Sequence, residues 1–213
     1  MHAPPEKTLS ILHKAYPHLH HYLHFSNPLE LVVATILSAQ IRDSVVNAAT
    51  PSLFKRYKTA KDYADADVNE IITLLPGITY TTTKAKYLKE TGKMLHEKYH
   101  GKIPKTMTEL TELPGIGRKS ANAILQNAFN IVEGIVVDTH VLRICYRLGW
   151  TSTDKNAVKS ERELMQILPK SEWKALPSLM KNHGRTVCKA PIPLCNMCVV
   201  NKPCPRQGVT KKL

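Results

Sequence analysis

Four of the five cysteines fall within seventeen residues near the end of the chain, in the order Cys188-x6-Cys195-x2-Cys198-x5-Cys204. Pro191, Pro193, Pro203 and Pro205 stiffen the segments between and beside them. A secreted disulfide framework wants an even count in a chain too small for its own core, whereas 213 residues bury a core unaided and the fifth cysteine stands apart. The cluster therefore reads as a metal-held loop in a reducing compartment. Four thiolates hold either a tetrahedral zinc or an iron–sulfur cluster, and zinc sites more often use two Cys-x-x-Cys pairs where this segment has one. Spacing alone leaves both occupants open. Cys145, inside Arg143-Ile-Cys-Tyr-Arg-Leu148, reads as a small core residue.

Ahead of that loop, apolar residues recur at spacings of three and four and nowhere settle into alternating runs, so the fold class is all-α. The pattern predicts helices over about 29–40, 43–57, 67–75, 84–99, 107–113, 118–129, 139–149, 157–168 and 172–183. Ser26-Asn27-Pro28 marks the start of the first, which is apolar almost all round and hence buried. Ile131 to Val137 resembles a strand but has no partner, and is expected to be an extended connection. The longest apolar stretch, Leu31 to Leu37, is far short of the roughly 20 residues that cross a bilayer, so no membrane partner is expected. Met1 to Lys7 has the layout of neither a secretory signal nor a transit peptide, and the protein is expected to work inside the cell.

Charge narrows the partner. Lys and Arg number 30 against 17 Asp and Glu, a formal net charge of +13, while 43% hydrophobic and 22% charged residues are ordinary globular proportions. A folded protein with this balance asks for a polyanion. From Trp173 to Leu213 there are eight Lys or Arg and no acidic residue. Leu113-Pro114-Gly115-Ile116-Gly117-Arg118-Lys119-Ser120-Ala121-Asn122 joins two predicted helices through a glycine-rich turn, whose backbone N–H groups can bind a phosphate. Gly115 and Gly117 allow the turn and a close approach by the ligand. On the helix that follows, Ala121, Ile124, Leu125, Ala128 and Phe129 form one stripe, and at about 100° per residue Lys119 falls nearly opposite it. The positive end of a helix dipole disfavours an ammonium and favours the neutral amine that a nucleophile requires. An ordinary turn with a solvated lysine is the alternative. Nineteen residues on, Asp138 in Val137-Asp138-Thr139-His140 precedes another helical pattern, as an N-cap that can also stabilise positive charge on a reacting sugar.

Together Leu113–Asn122 and Val137–His140 resemble the helix-hairpin-helix DNA glycosylase superfamily, and in particular the endonuclease III family, over about residues 27–206. The resemblance implies that Lys119 is the nucleophile and Asp138 the essential carboxylate, and that Cys188, Cys195, Cys198 and Cys204 hold a [4Fe–4S] cluster. It makes Gln40, after Asn27-Pro28 and the early core helix, the residue that fills the space left by a flipped nucleotide. His140 lines the pocket, Lys189 touches phosphate, and Arg118 and Arg143 join Gly115 and Gly117 as DNA contacts. Two departures stand out. Ile41-Arg42 replaces the family's small or threonine residues before Asp43, and Gly77-Ile-Thr-Tyr-Thr-Thr-Thr-Lys84-Ala85 is two residues longer than the family's wedge loop, with Ile78 or Tyr80 as the wedge.

The implied activity is that of a bifunctional glycosylase and abasic-site lyase, acting as a monomer on double-stranded DNA that contains oxidised or ring-saturated pyrimidines or abasic sites. Its rivals are a monofunctional adenine or mismatch glycosylase, which lacks the lysine, and a non-catalytic hairpin module. The implied architecture has two lobes: a helical barrel over 25–132 carrying the hairpin 113–119, and a cluster domain of 1–24 plus 133–213 with the loop 188–204, the active site lying in the cleft between them. A cytoplasmic, nucleoid-associated location follows, with a nuclear one left open. His13, His18, His20, His21 and His24 crowd into twelve residues and read as an exposed helical segment without a carboxylate partner.

Overall fold

Eleven α-helices and two 3-10 turns make up the regular structure of residues 2–19 and 22–213, those that the computed structural model describes, and no strand occurs among them. The chain divides into two compact units, residues 21–131 and residues 1–20 with 132–213.

In the first unit α2 (Pro28–Leu37) begins where Asn27 caps it, the Asn27 side chain accepting from the Glu30 N–H at 3.0 Å with Pro28 just inside the first turn. Seven consecutive residues, Leu31 to Leu37, are buried, as expected of a helix apolar all round. Around it stand α3 (Asp43–Arg56), α4 (Ala60–Asp65), α5 (Val68–Thr73), α6 (Thr81–Glu97), α7 (Met107–Glu112) and α8 (Arg118–Ala128). Helix α8 packs on α2 and α7 through Ala121, Ile124 and Leu125. Gly92 of α6 lets that helix close on α4, since a Cβ there would stand 2.5 Å from the Cβ of Tyr63.

In the second unit α9 (Thr139–Arg147) turns Val141, Ile144 and Cys145 into a core shared with α1 (Pro5–Ala15), α10 (Ala157–Ile167) and α11 (Leu176–Thr186). Burial pushes the Cys145 thiol far up, and it is the inert core residue expected. The N-terminal segment is tied down by Trp150 Nε1, which donates to the Ala3 carbonyl at 2.7 Å. Residues 131–137 contain neither helix nor strand, in line with an extended connection.

Three expectations are corrected. Helix α1 was not predicted, and of the histidines only His13 lies in it: α1 ends at Ala15, ahead of Pro17, His18 and His24 lie outside any helix, and His13 has a carboxylate partner in Glu172 at 2.8 Å. His20 and His21 lie outside the described residues. Helix α4 was also missed. Its signal is the Thr59–Asp62 capping box, each side chain satisfying the other's backbone. The helix expected over 172–183 splits into a 3-10 turn at Lys170–Glu172 and α11, which starts where Pro177 fits a first turn.

Candidate active site and thiolate cluster

The hairpin between α7 and α8 is anchored by its apolar residues: Leu113 and Ile116 are buried, and the Ile116 N–H bonds the Leu113 carbonyl at 3.0 Å. Gly115 takes φ +79°, and a Cβ there would meet Tyr87 at 2.8 Å, so both backbone and space demand glycine. Gly117 differs. It caps α8 at φ −95°, and a Cβ would meet nothing within 4 Å, so nothing in the protein requires glycine there. The first-turn N–H groups of a helix have no partner within it, and Gly117 supplies no side-chain cap to those of α8. Gly117→Ala is therefore expected to leave the melting temperature unchanged or slightly raised, since alanine loses less backbone entropy on folding, while duplex affinity falls about tenfold. A melting curve beside a binding titration checks it, and a loss of stability equal to the loss of binding would contradict it.

Lys119, the second residue of α8, is exposed on the face away from the buried stripe, as the helical period predicts, and Arg118 beside it is exposed too. In the other unit Asp138 caps α9: its Oδ1 accepts both the His140 N–H at 2.8 Å and the Val141 N–H at 2.9 Å. Oδ2 takes no hydrogen bond among the described residues, so one oxygen fixes the carboxylate and the other keeps its lone pairs. Asparagine can make the same cap through its oxygen but carries no charge. Asp138→Asn should melt within about 0.5 kcal/mol of wild type and lose roughly 100-fold in turnover, whereas Asp138→Ala should also lose about 1 kcal/mol of stability. Equal turnover for Asn and Asp would remove the charge from the argument.

His140 is half-buried with Nδ1 3.2 Å from Arg143 Nη2, and burial holds its imidazole below the usual histidine value. Gly184 of α11 allows this packing, for a Cβ there would stand 2.3 Å from His140 Nδ1. Arg143, expected to touch DNA, is half-buried: Nε and Nη2 donate to the Cys188 carbonyl at 3.2 and 3.1 Å, and Nη1 reaches Thr139 O at 3.4 Å. Lys189 is exposed, as a phosphate contact requires.

Gln40 follows α2 in a tight turn, exposed and at φ +58°, a backbone region that a glutamine rarely adopts. Tyr80, at the N-terminus of α6, is 68% exposed and likewise left-handed at φ +55°. Ile78 is 5% exposed and belongs to the core, so of the two candidate wedges only Tyr80 offers a surface to insert.

The four cysteines of the C-terminal loop line one small cavity of about 20 Å³, partly open to solvent, with Ile144, Leu148, Val200 and Val209 among its other walls. Burial pushes the Cys198 thiol up to about 11 and raises Cys204 as well, so a metal centre's positive charge is what would make them thiolates at neutral pH. Among the described residues no three His, Cys, Asp or Glu side chains converge closely enough for a single ion. Two donors missed by sequence reasoning face the sulfurs. Arg147 Nη1 lies 3.3 Å from Cys188 Sγ and also donates to the Lys189 carbonyl at 2.9 Å, and buried His183 places Nε2 3.5 Å from Cys198 Sγ. The available signal was an arginine among Ile144, Cys145 and Leu148 on the apolar face of α9.

Comparison with known proteins supplies the remaining evidence. Residues 33–170 match the family described as HhH-GPD superfamily base excision DNA repair protein. The chain is 41% identical over 197 residues to endonuclease III of Synechocystis sp., covering 92% of this chain and 90% of that protein. Two solved structures, a non-covalent endonuclease III–DNA complex and a trapped endonuclease III–DNA covalent intermediate, each superpose with a TM-score of 0.89 at 36% identity, covering 97% of both chains.

Proposed function

Because the chain belongs to the endonuclease III family of the HhH-GPD base excision repair superfamily, we propose that it is a bifunctional DNA glycosylase and abasic-site lyase, using Lys119 to cut out oxidised or ring-saturated pyrimidines. The observation that carries this reading is the Lys119 amine, exposed in the first turn of α8 directly after a glycine hairpin that gives the helix no side-chain cap. A monofunctional relative has no use for an amine at that place.

The damaged nucleotide is extruded from the duplex, and the basic surface holds the flanking phosphates. The neutral Lys119 Nζ attacks C1′ of the sugar. The C1′–N bond to the base breaks with its electron pair leaving on the base, which is protonated as it departs. The ring opens to an imine between Lys119 and C1′, a C2′ proton is lost, and the 3′ C–O bond breaks by β-elimination, nicking the strand 3′ to the lesion. Asp138, held by its Oδ1 cap bonds, offers its second oxygen to the cationic sugar and to the proton transfers.

Cys188, Cys195, Cys198 and Cys204 would hold a [4Fe–4S] cluster, whose chemistry here is to cross-link the loop 188–204. Four thiols spread round an apolar cavity suit a multi-iron group better than one zinc about 2.3 Å from every sulfur. Arg147 donates an N–H to the Cys188 sulfur and so favours its thiolate form, and His183 Nε2 stands beside the Cys198 sulfur. The protein acts as a monomer on double-stranded DNA inside the cell, with Gln40 and Tyr80 as the residues that enter the helix.

Borohydride trapping tests the reading on a duplex with one abasic site. The expected result is a covalent protein–DNA adduct together with base release from a duplex carrying a ring-saturated thymine. Base release without an adduct assigns a monofunctional glycosylase, and salt-sensitive binding with neither assigns a non-catalytic module.

A further inference from the structure

Lys84 is 4% exposed, an unusual place for an ammonium, and no carboxylate explains it. It lies on α6, and its Nζ donates to the carbonyls of Leu37 at 2.9 Å and Ala39 at 2.8 Å. These are carbonyls at the C-terminal end of α2, where the helix leaves them unpartnered and where a cation is favoured. Ser38 to Ile41 form a tight turn, closed by the Ile41 N–H on the Ser38 carbonyl at 3.2 Å, with Gln40 at its third position. That position takes φ +58°, where glycine or asparagine is the usual occupant. A glutamine persists there only if its surroundings over-determine the backbone. The Lys84 backbone N–H also bonds the Tyr80 carbonyl at 3.0 Å, so one residue is joined both to the turn that carries Gln40 and to Tyr80, two of the exposed left-handed positions of this unit.

We propose that Lys84 is a positioning residue that holds the 38–41 turn in its left-handed form, so that Gln40 is aimed into the duplex before DNA arrives. This rests on the reading of Gln40 as the residue that fills the space of the extruded nucleotide. Lys84 touches no DNA itself. Its two side-chain bonds fix the carbonyls on either side of Ser38, and thereby the direction in which the next side chain leaves the backbone. Lys84→Met fills a similar volume but removes both donors.

The experiment titrates wild type, Gln40→Ala, Lys84→Met and the double variant into a duplex with an uncleavable tetrahydrofuran abasic analogue opposite 2-aminopurine. Fluorescence at saturation reads what enters the gap. Gln40→Ala is expected to lose the wild-type signal and about tenfold in affinity. Lys84→Met should lose the same signal and the same factor, and the double variant should be no worse than either single one. A folded Lys84→Met protein with the wild-type signal overturns the proposal, as do losses that multiply in the double variant, because a merely structural lysine acts independently of Gln40. No effect of Gln40→Ala overturns it too. If Lys84→Met does not fold, hydrogen exchange of segment 37–42 in the wild type decides: protection before DNA is added is expected, and protection only in the complex sinks the idea. The analogue is never cleaved, so a protein that traps no adduct fails the lyase reading and leaves this result standing.

Discussion

Lys119→Ala is expected to lose the borohydride adduct entirely and to slow cleavage at an abasic site by at least about three orders of magnitude, roughly 4 kcal/mol of barrier. The side chain is exposed, and the stripe that packs α8 on α2 and α7 lies on the other face, so stability should change by no more than about 0.5 kcal/mol. Binding to an abasic duplex should also persist, because the hairpin N–H groups and Arg118 remain. That split between chemistry and binding distinguishes the nucleophile from one more phosphate contact, which would cost affinity and little in single-turnover rate. A trapped adduct of undiminished yield from Lys119→Ala would place the imine on another amine and remove the central assignment.

Cys198→Ser is expected to remove the visible absorbance of a bound cluster and to destabilise the second unit by on the order of 4 kcal/mol, the range in which loss of a metal centre falls. The cavity is walled largely by apolar side chains, Arg147 donates an N–H to the Cys188 sulfur, and His183 Nε2 stands 3.5 Å from the Cys198 sulfur. Without the metal those sulfurs are uncharged thiols and nothing cross-links the loop. The failure should be local first: trypsin should cut at exposed Lys189 in the variant and spare it in the loaded wild type. Cutting at Lys189 at equal rates in both proteins, with equal melting, would show that the loop holds its shape without the metal.

The sequence alone carried what short-range rules govern. Helix α8 was expected over 118–129 and runs from Arg118 to Ala128, with Lys119 opposite its buried stripe, because the period repeats every few residues and needs no partner to be seen. The Asn27 and Asp138 caps were legible for the same reason, each bond spanning two or three residues. The four cysteines are close in the chain, so their meeting in one cavity required no knowledge of the fold. Helix α4 escaped, although α5 and α7, equally short, were expected, since its Thr59–Asp62 capping box was not used.

What only the tertiary structure decided are the side chains whose partners lie far along the chain. Lys84 reads as one more solvated lysine until the C-terminal end of α2, some 45 residues earlier, supplies the carbonyls that make its burial tolerable. Arg143 and Arg147 read as two basic side chains of one helix until the Cys188 carbonyl and sulfur, 45 and 41 residues on, take bonds from their guanidinium groups. Between Ile78 and Tyr80 the sequence offered no choice, and packing made it by burying the first and leaving the second exposed. A local pattern records which face of an element is apolar. Which polar group that face must satisfy depends on the neighbour brought against it, and that neighbour is set by the fold.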